Sequence, residues 1–246
     1  MLRAAGVATA ALDSDVLLTH VLGISKETLY AHPDTEMTHG AMRRFRELIE
    51  RRAAGEPVAY LRGFKEFYGL RFAVDPRVLI PRPETETLVD AARDFIRGRA
   101  LSVADIGTGS GAIAVARVNA QDNGVADRVE FRQGDLLAPL GERLDVVVAN
   151  LPYLRDVSFE HLFGDRTSLA FEPRVALTAG KDGLELIWRA AAGLGRVLAP
   201  GGAALFEIDP PLADQVVDLL RHSVGGGPHV VHDLAGDARV VIVQEA

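Results

Sequence analysis

The chain has no cysteine. Disulfides and thiolate metal sites are therefore excluded, and the composition fits a reducing compartment. Long apolar runs are missing as well. The longest are a few residues, such as Val146-Val147-Val148-Ala149, where a membrane span needs about 20. Positive charge is in the minority, with 27 Lys and Arg against 34 Asp and Glu and a net charge of −7. That balance opposes a protein whose main work is gripping phosphate backbones, although a local basic patch can sit on an acidic protein. The opening MLRAAGVATAALDSD couples no basic cluster to a long apolar stretch, so no signal peptide is expected.

What remains is ordinary globular composition. The 246 residues are 48% hydrophobic and 25% charged, enough to bury a core without covalent staples. The length suits one larger domain with a small one appended. Near the start, Leu12, Val16, Leu17, His20 and Val21 recur at helical spacing, with Asp13 placed to cap the segment. Phe45, Leu48, Ile49 and Arg52 repeat the pattern. Glu47 and Glu50 interrupt the neighbouring arginines, so this stretch reads as a solvated helix face rather than a nucleic-acid patch.

Around residue 65 the pattern changes. EFYGLRFAVDPRVLIP alternates aromatic and branched residues about Gly69 and Asp75-Pro76, the mark of a short hairpin. Beyond residue 86, strands expected at 102–106, 128–133, 144–149, 203–208 and 238–244 alternate with helices. A segment at 229–233 is placed to form a closing hairpin with the last strand. The expectation is an α/β fold with a mostly parallel sheet covered on both faces. The implied division is a helical domain at 1–64, a hairpin linker at 65–82 and a Rossmann-like domain at 83–246.

Two strand ends carry candidate chemistry. Asp105-Ile106 runs into Gly107-Thr108-Gly109-Ser110-Gly111 and then a helix. Glycines there allow a sharp turn and let a ligand approach the backbone, beside the unpaired N–H groups of a helix start. The spacing G-x-G-x-G, preceded by an aspartate, suits a nucleoside-methionine ligand better than a pyrophosphate. The plain alternative is a tight strand–helix turn with no ligand.

Strand 144–149 ends in Asn150-Leu151-Pro152-Tyr153. An amide or exocyclic nitrogen is a poor nucleophile because its lone pair is delocalised. The Asn150 side-chain carbonyl and the Leu151 backbone carbonyl can accept both of its hydrogens and turn the lone pair toward a methyl donor. Pro152 holds the preceding residue extended, and Tyr153 can pack on a planar group. The plain alternative is a strand-ending turn in which Asn150 bonds its own backbone. Asp209-Pro210-Pro211 also follows a strand but lacks the aromatic, and reads as a proline-led helix start.

These motifs, with Glu56 to Tyr60, Glu66 to Leu70, Leu79-Ile80-Pro81-Arg82-Pro83-Glu84-Thr85-Glu86, Phe171 to Leu177, Lys181 to Leu184 and Leu198 to Gly202, resemble the release-factor glutamine N5-methyltransferases over nearly the whole chain. The resemblance implies a class I methyltransferase domain using S-adenosyl-L-methionine. It also implies a peptide chain release factor as protein partner, with the glutamine of its Gly-Gly-Gln loop as target, and a cytoplasmic location. It implies cofactor contacts at Asp105, Gly107, Thr108, Gly109, Ser110, Gly111 and Asn150. Asn150, Pro152 and Tyr153 take catalytic roles, and Asn150, Leu151, Pro152, Tyr153, Pro81, Arg82 and Glu84 face the substrate.

The chain departs from the family twice. Leu151 stands where the family usually has proline, which keeps the backbone carbonyl but removes one rigid residue. Between Gly111 and Val129 the chain holds only AIAVARVNAQDNGVADR, one helix and a turn. The family has a further strand and helix there, and that strand ends in the acidic residue that binds the ribose. We expect residues 128–133 to pair directly beside 102–106, with Glu130, Asp135 or Asp122 as substitute ribose ligand. Two alternatives follow: a methyltransferase for another amide or an adenine nitrogen, and a non-catalytic homologue that docks on release factors.

Overall fold

The computed structural model describes residues 1–107, 112–155 and 168–246. Four helices come first: α1 (Ala10–Leu22), α2 (Lys26–Ala31), α3 (His39–Ala53) and α4 (Val58–Arg62). Ser25 and Thr38 start α2 and α3 by accepting the N–H groups of Thr28 and Ala41, the usual satisfaction of orphan donors at a helix start. The apolar stripes of α1 and α3 meet as expected. Leu17, Leu48 and Leu61 are buried, with Val21, Phe45, Ile49 and Val58 packed around them. Leu12 does not join them and stays exposed.

Asp13 is not a cap. Helix α1 begins at Ala10 with no side-chain cap bond. Asp13 lies one turn inside and buried, accepting from Arg52 Nε of α3 at 2.7 Å. Arg52 also donates to the Gly55 and Glu56 carbonyls. The pair ties helices that are 39 residues apart, which local pattern does not reveal.

A two-stranded antiparallel hairpin follows, β1 (Phe64–Phe67) with β2 (Leu70–Ala73). Next come a short 3-10 turn at Pro83–Thr85 and α5 (Glu86–Ile96). The main sheet is built from β3 (Val103–Ile106), β4 (Leu144–Ala149), β5 (Leu198–Glu207), β6 (His229–His232) and β7 (Ala238–Gln244), in the order β3-β4-β5-β7-β6. The pairs β3–β4 and β4–β5 are parallel. The hairpin β6–β7 closes the other side, with β7 antiparallel to β5.

Helices cover both faces. On one, α7 (Glu185–Val197) and α8 (Ala213–Arg221) bury Ile187, Ala190, Leu194, Val216 and Leu220 against Val147, Ala204, Phe206 and Val241. On the other, Leu88 and Ala91 of α5 meet Val146, Ala203, Leu205 and Val240. β4 and β5 are therefore covered on two sides, which explains their unbroken apolar runs.

The shortened stretch folds differently from expectation. Residues 129–133 form no strand, and β3 is the sheet edge. In a fold that carries the missing strand, that strand would lie between β3 and the 128–133 segment. Without it, Val129-Glu130-Phe131-Arg132 stays largely exposed, with Arg132 bonded to Glu130 and Glu142. A strand needs a partner ladder, and alternation of residues alone does not supply one. The parallel part of the sheet is thus three strands wide.

Helix α6 (Ala112–Asp122) fills the gap in another way. Asn119 of α6 accepts from the Ala73 N–H at 2.7 Å and donates to the Ala73 carbonyl at 3.2 Å. Asn123 donates to the Arg71 carbonyl. These side-chain amides continue the ladder of β2, so the fused helix anchors the hairpin and satisfies its open edge.

Candidate functional site

Register brings the two motif-bearing strand ends together. Ile106 of β3 faces Ala149 of β4, and Ala149 in turn faces Phe206 of β5. The next residues along these strands are Gly107, Asn150 and Glu207, side by side at the carboxyl edge where open α/β sheets gather ligands. Gly107 has φ +102, and a Cβ there would lie 2.8 Å from Leu151 Cδ2 and 3.6 Å from the Asn150 carbonyl oxygen. Only glycine fits this approach. Thr108, Gly109, Ser110 and Gly111 lie outside the described residues.

Asn150 is half-buried, and its Nδ2 donates to Thr85 Oγ1 at 3.1 Å. It does not merely bond its own backbone. Leu151 is 1% exposed and packs in the core with Ile106 and Leu137, so the residue that replaces the family's proline anchors the turn by burial. Pro152 and Tyr153 are half-buried. Burial pushes the Tyr153 phenol up to about 12, with the Glu207 and Asp209 carboxylates adding to the shift. Tyr153 therefore stays neutral at working pH. Residue 154 is pinned in both directions, since Leu154 N–H donates to the Leu177 carbonyl and the Ala179 N–H to the Leu154 carbonyl. Gly183, at φ +79, passes so close that a Cβ would fall 2.3 Å from the Tyr153 carbonyl oxygen.

The proline-arginine-proline-glutamate segment is fastened from behind. Arg82 donates to Glu172 Oε1 at 2.5 Å, and the Ile80 N–H donates to Glu172 Oε2 at 3.0 Å. Glu172 is itself buried. Tyr60, buried in the helical part, donates its hydroxyl to the Val78 carbonyl, and desolvation raises its pKa. Thus Arg82 is bonded to a protein carboxylate, Pro81 is half-buried beside it, and Glu84 is exposed.

On the cofactor side the picture is thinner. Asp105 has an accessible surface but is set among dense protein, and desolvation raises its carboxyl to about 6. Contact with water checks the shift, and its direction is upward. The substitutes for a ribose carboxylate are committed elsewhere. Asp135 pairs with Arg189 of α7, and Glu130 pairs with Arg132. Asp122 is the eleventh and last residue of α6, at the far end from the helix start.

Three residues escape motif reading: Thr85, Glu172 and Glu207. Glu207 is 1% exposed, and its Oε2 has no hydrogen-bond partner. A signal for it exists, because a carboxylate that ends the apolar run AALFE cannot face water if the strand is covered on both sides.

With the geometry in place, comparison with known proteins is informative. Residues 1–63 match the family model described as the PrmC N-terminal domain. The fold is similar to the catalytic domain of hMettl16 in complex with a MAT2A 3′UTR hairpin, with a TM-score of 0.51 at 16% identity, covering 84% of this chain and 82% of that one. The sheet and its helix layers have the class I methyltransferase fold, preceded by an N-terminal helical part.

The release factor glutamine methyltransferase of Rhodopirellula baltica is 37% identical, covering 99% of this chain and 92% of its own length. That of Bordetella pertussis is 40% identical, covering 93% of each. The chain belongs to the release factor glutamine methyltransferase family. The Rhodopirellula alignment runs over 276 positions while this chain has only 246 residues, so about thirty positions of the relative face gaps here. That is the size of a strand, a helix and their loops.

Proposed function

We infer that this protein methylates the side-chain amide nitrogen of the glutamine in the Gly-Gly-Gln loop of peptide chain release factors, with S-adenosyl-L-methionine as methyl donor. The supporting observation is the adjacency of Gly107 and Asn150 at neighbouring strand tips, in a chain similar to these enzymes over nearly its full length.

The bound cofactor supplies an electrophilic methyl on a sulfonium, already a good leaving group. Gly107, with the glycine turn that follows it, and Asp105 hold its methionine end in this reading. The carboxylates expected at the ribose end are Asp135 and Glu130, each in an ion pair, and Asp122 at the end of α6. Asn150 Oδ1 and the Leu151 carbonyl accept the two amide hydrogens of the substrate and aim the nitrogen lone pair at the methyl carbon. A nitrogen–carbon bond forms as the carbon–sulfur bond breaks, and the amide then loses one proton. Leu151 holds the turn by burial, Pro152 by its ring, and the neutral Tyr153 ring packs on the planar amide. Arg82, Glu84 and Pro81 border the substrate, with residues 1–64 as the recognition unit and the hairpin region 65–82 joining it to the catalytic part at 83–246. A release factor as partner places the protein in the cytoplasm, where translation ends.

The test is methyl transfer from tritiated cofactor to purified release factor, with mass spectrometry locating one added methyl on the loop glutamine. Asn150→Ala is expected to lower kcat by about 100- to 1,000-fold, as for the loss of one oriented transition-state contact. Label appearing on RNA and not on release factor overturns the assignment. The shortened cofactor side favours one second reading, a docking protein without transfer activity. Absence of binding heat at millimolar S-adenosylhomocysteine would establish that reading instead.

A further inference from the structure

We propose that Glu207 is a positioning residue that sets which end of the Asn150 amide faces the substrate, acting in part through the Thr85 hydroxyl. The proposal rests on the function inferred above and assigns a role behind its central asparagine.

Hydrogen-bond direction carries the argument. An asparagine amide fits a pocket either way round, and only its neighbours decide whether oxygen or nitrogen points outward. Methyl transfer to an amide nitrogen needs the oxygen outward, since the substrate brings N–H groups. An ionised carboxylate can only accept. Glu207 is buried and follows Phe206, which pairs with Ala149, so it stands beside Asn150 at the tip of the neighbouring strand, where Thr85 and Asn150 pull its pKa down. Thr85 has one hydroxyl hydrogen. Once it is given to Glu207, the Thr85 oxygen is left as an acceptor, and Asn150 Nδ2 donates to it at 3.1 Å. That bond turns Nδ2 inward, toward Thr85. Oδ1 is left for the substrate.

Two further observations fit this relay. Thr85 ends the 3-10 turn with helical backbone angles, and its side chain makes no capping bond to α5. Among the described residues, Glu207 also has no ion pair. Arg239 of β7 acts on it at a distance, but its guanidinium bonds Asp233 through Nε and Nη2. A buried carboxylate with one unpartnered oxygen is poor value for stability alone. Burial raises its pKa, while Thr85, Arg239 and Asn150 pull it back and Glu84 of the 3-10 turn pushes it up. Tyr153, after β4, is the other titratable group coupled to it.

The experiment compares Glu207→Met, Glu207→Gln and Thr85→Val in the full-length chain. Each variant is followed by steady-state kinetics on release factor, by thermal unfolding, and by the side-chain ¹⁵N–¹H signals of Asn150. Met cannot accept, so kcat falls about 100-fold while KM and the S-adenosylhomocysteine Kd stay within about threefold. Gln keeps one carbonyl oxygen and retains kcat within about tenfold of the native protein. Thr85→Val loses about tenfold. The Asn150 amide hydrogens are protected from solvent exchange in the native protein and in Glu207→Gln, and lose that protection in Glu207→Met. Should Glu207→Met not fold, Thr85→Val carries the same kinetic and exchange readouts. A Glu207→Met protein that keeps kcat within threefold, or keeps its Asn150 protection, overturns the proposal. If the native chain transfers no methyl group at all, the functional reading fails, and the exchange measurement still decides the role of Glu207.

Discussion

The ends of β3 and β4 sit side by side in one sheet but are held very differently. The β4 tip is over-determined. Asn150 is bonded to Thr85, Leu151 is buried, residue 154 is bonded on both sides, and Gly183 closes against the Tyr153 carbonyl. β3 is an edge strand, with Val103 at its start exposed and, among the described residues, no strand beyond it. The contrast teaches where a methyltransferase fold can lose about thirty positions. Removal from a sheet edge leaves the central strands paired and covered, so the core survives. Removal next to β4 would have unpaired two ladders at once. In the proposed site the loss borders the cofactor rather than the Asn150 turn.

The largest expected effect concerns the well-held side. Glu172→Ala leaves the Ile80 N–H without its acceptor and Arg82 without its carboxylate. Breaking a buried pair while one partner remains costs several kcal/mol, and Arg82 can regain some water, so we expect about 3 kcal/mol. Urea unfolding measures it. A loss below about 1 kcal/mol would mean that the turn is held by packing alone, and that the polar lock adds little.

The next effect measures the weakness of the other side. A charge-assisted ribose contact contributes about 2–3 kcal/mol. S-adenosylhomocysteine should therefore bind this chain about 30- to 150-fold more weakly than it binds the Rhodopirellula relative. Calorimetry of the two proteins side by side tests this. Equal affinities would show that some other group has taken over the ribose, and the contrast between the tips would vanish.

A third experiment joins the two tips. Gly107→Ala places a Cβ against Leu151 Cδ2 at a residue with φ +102. The strained backbone and the displaced leucine should together cost about 1–2 kcal/mol. Because Leu151 belongs to the substrate turn of the proposed site, KM for release factor should rise along with the cofactor Kd. A variant that changes only the cofactor Kd would show the tips to be mechanically independent.

Much of this arrangement can be read along the chain because it is local. Val146 to Ala149 and Ala203 to Phe206 are apolar without interruption since both faces are covered, and the β6–β7 hairpin follows from its turn residues. The Asn150-Leu151-Pro152-Tyr153 turn stands at the end of β4, where its residue types place it. Non-local pairings are hidden from such reading. Asp13 looks like a cap until Arg52 is found 39 residues away. Residues 128–133 alternate as a strand should, but alternation does not say whether a neighbour exists to pair with. Thr85 and Glu207 come from different elements, and only the sheet register sets them behind Asn150. Glu172 is bonded to Ile80 and Arg82 across some ninety residues.

The smallest effect is a pH dependence located at the β3 tip. Desolvation raises the Asp105 carboxyl from 3.8 to about 6. A carboxyl with a raised folded pKa holds its proton more tightly folded than unfolded. Stability therefore declines as pH climbs from about 4 to about 6, and the full penalty of the charged form is present above that window. In the proposed site the ammonium of the bound homocysteine lies near Asp105 and favours its ionised form, so binding releases a proton. Affinity for S-adenosylhomocysteine should then weaken as pH falls through about 6, while Asp105→Asn binds more weakly at pH 8 but with a flat profile. Titrations at pH 5, 6, 7 and 8 separate the two proteins. A native profile as flat as that of the variant would remove Asp105 from the cofactor site and leave the glycine turn to hold the methionine end alone.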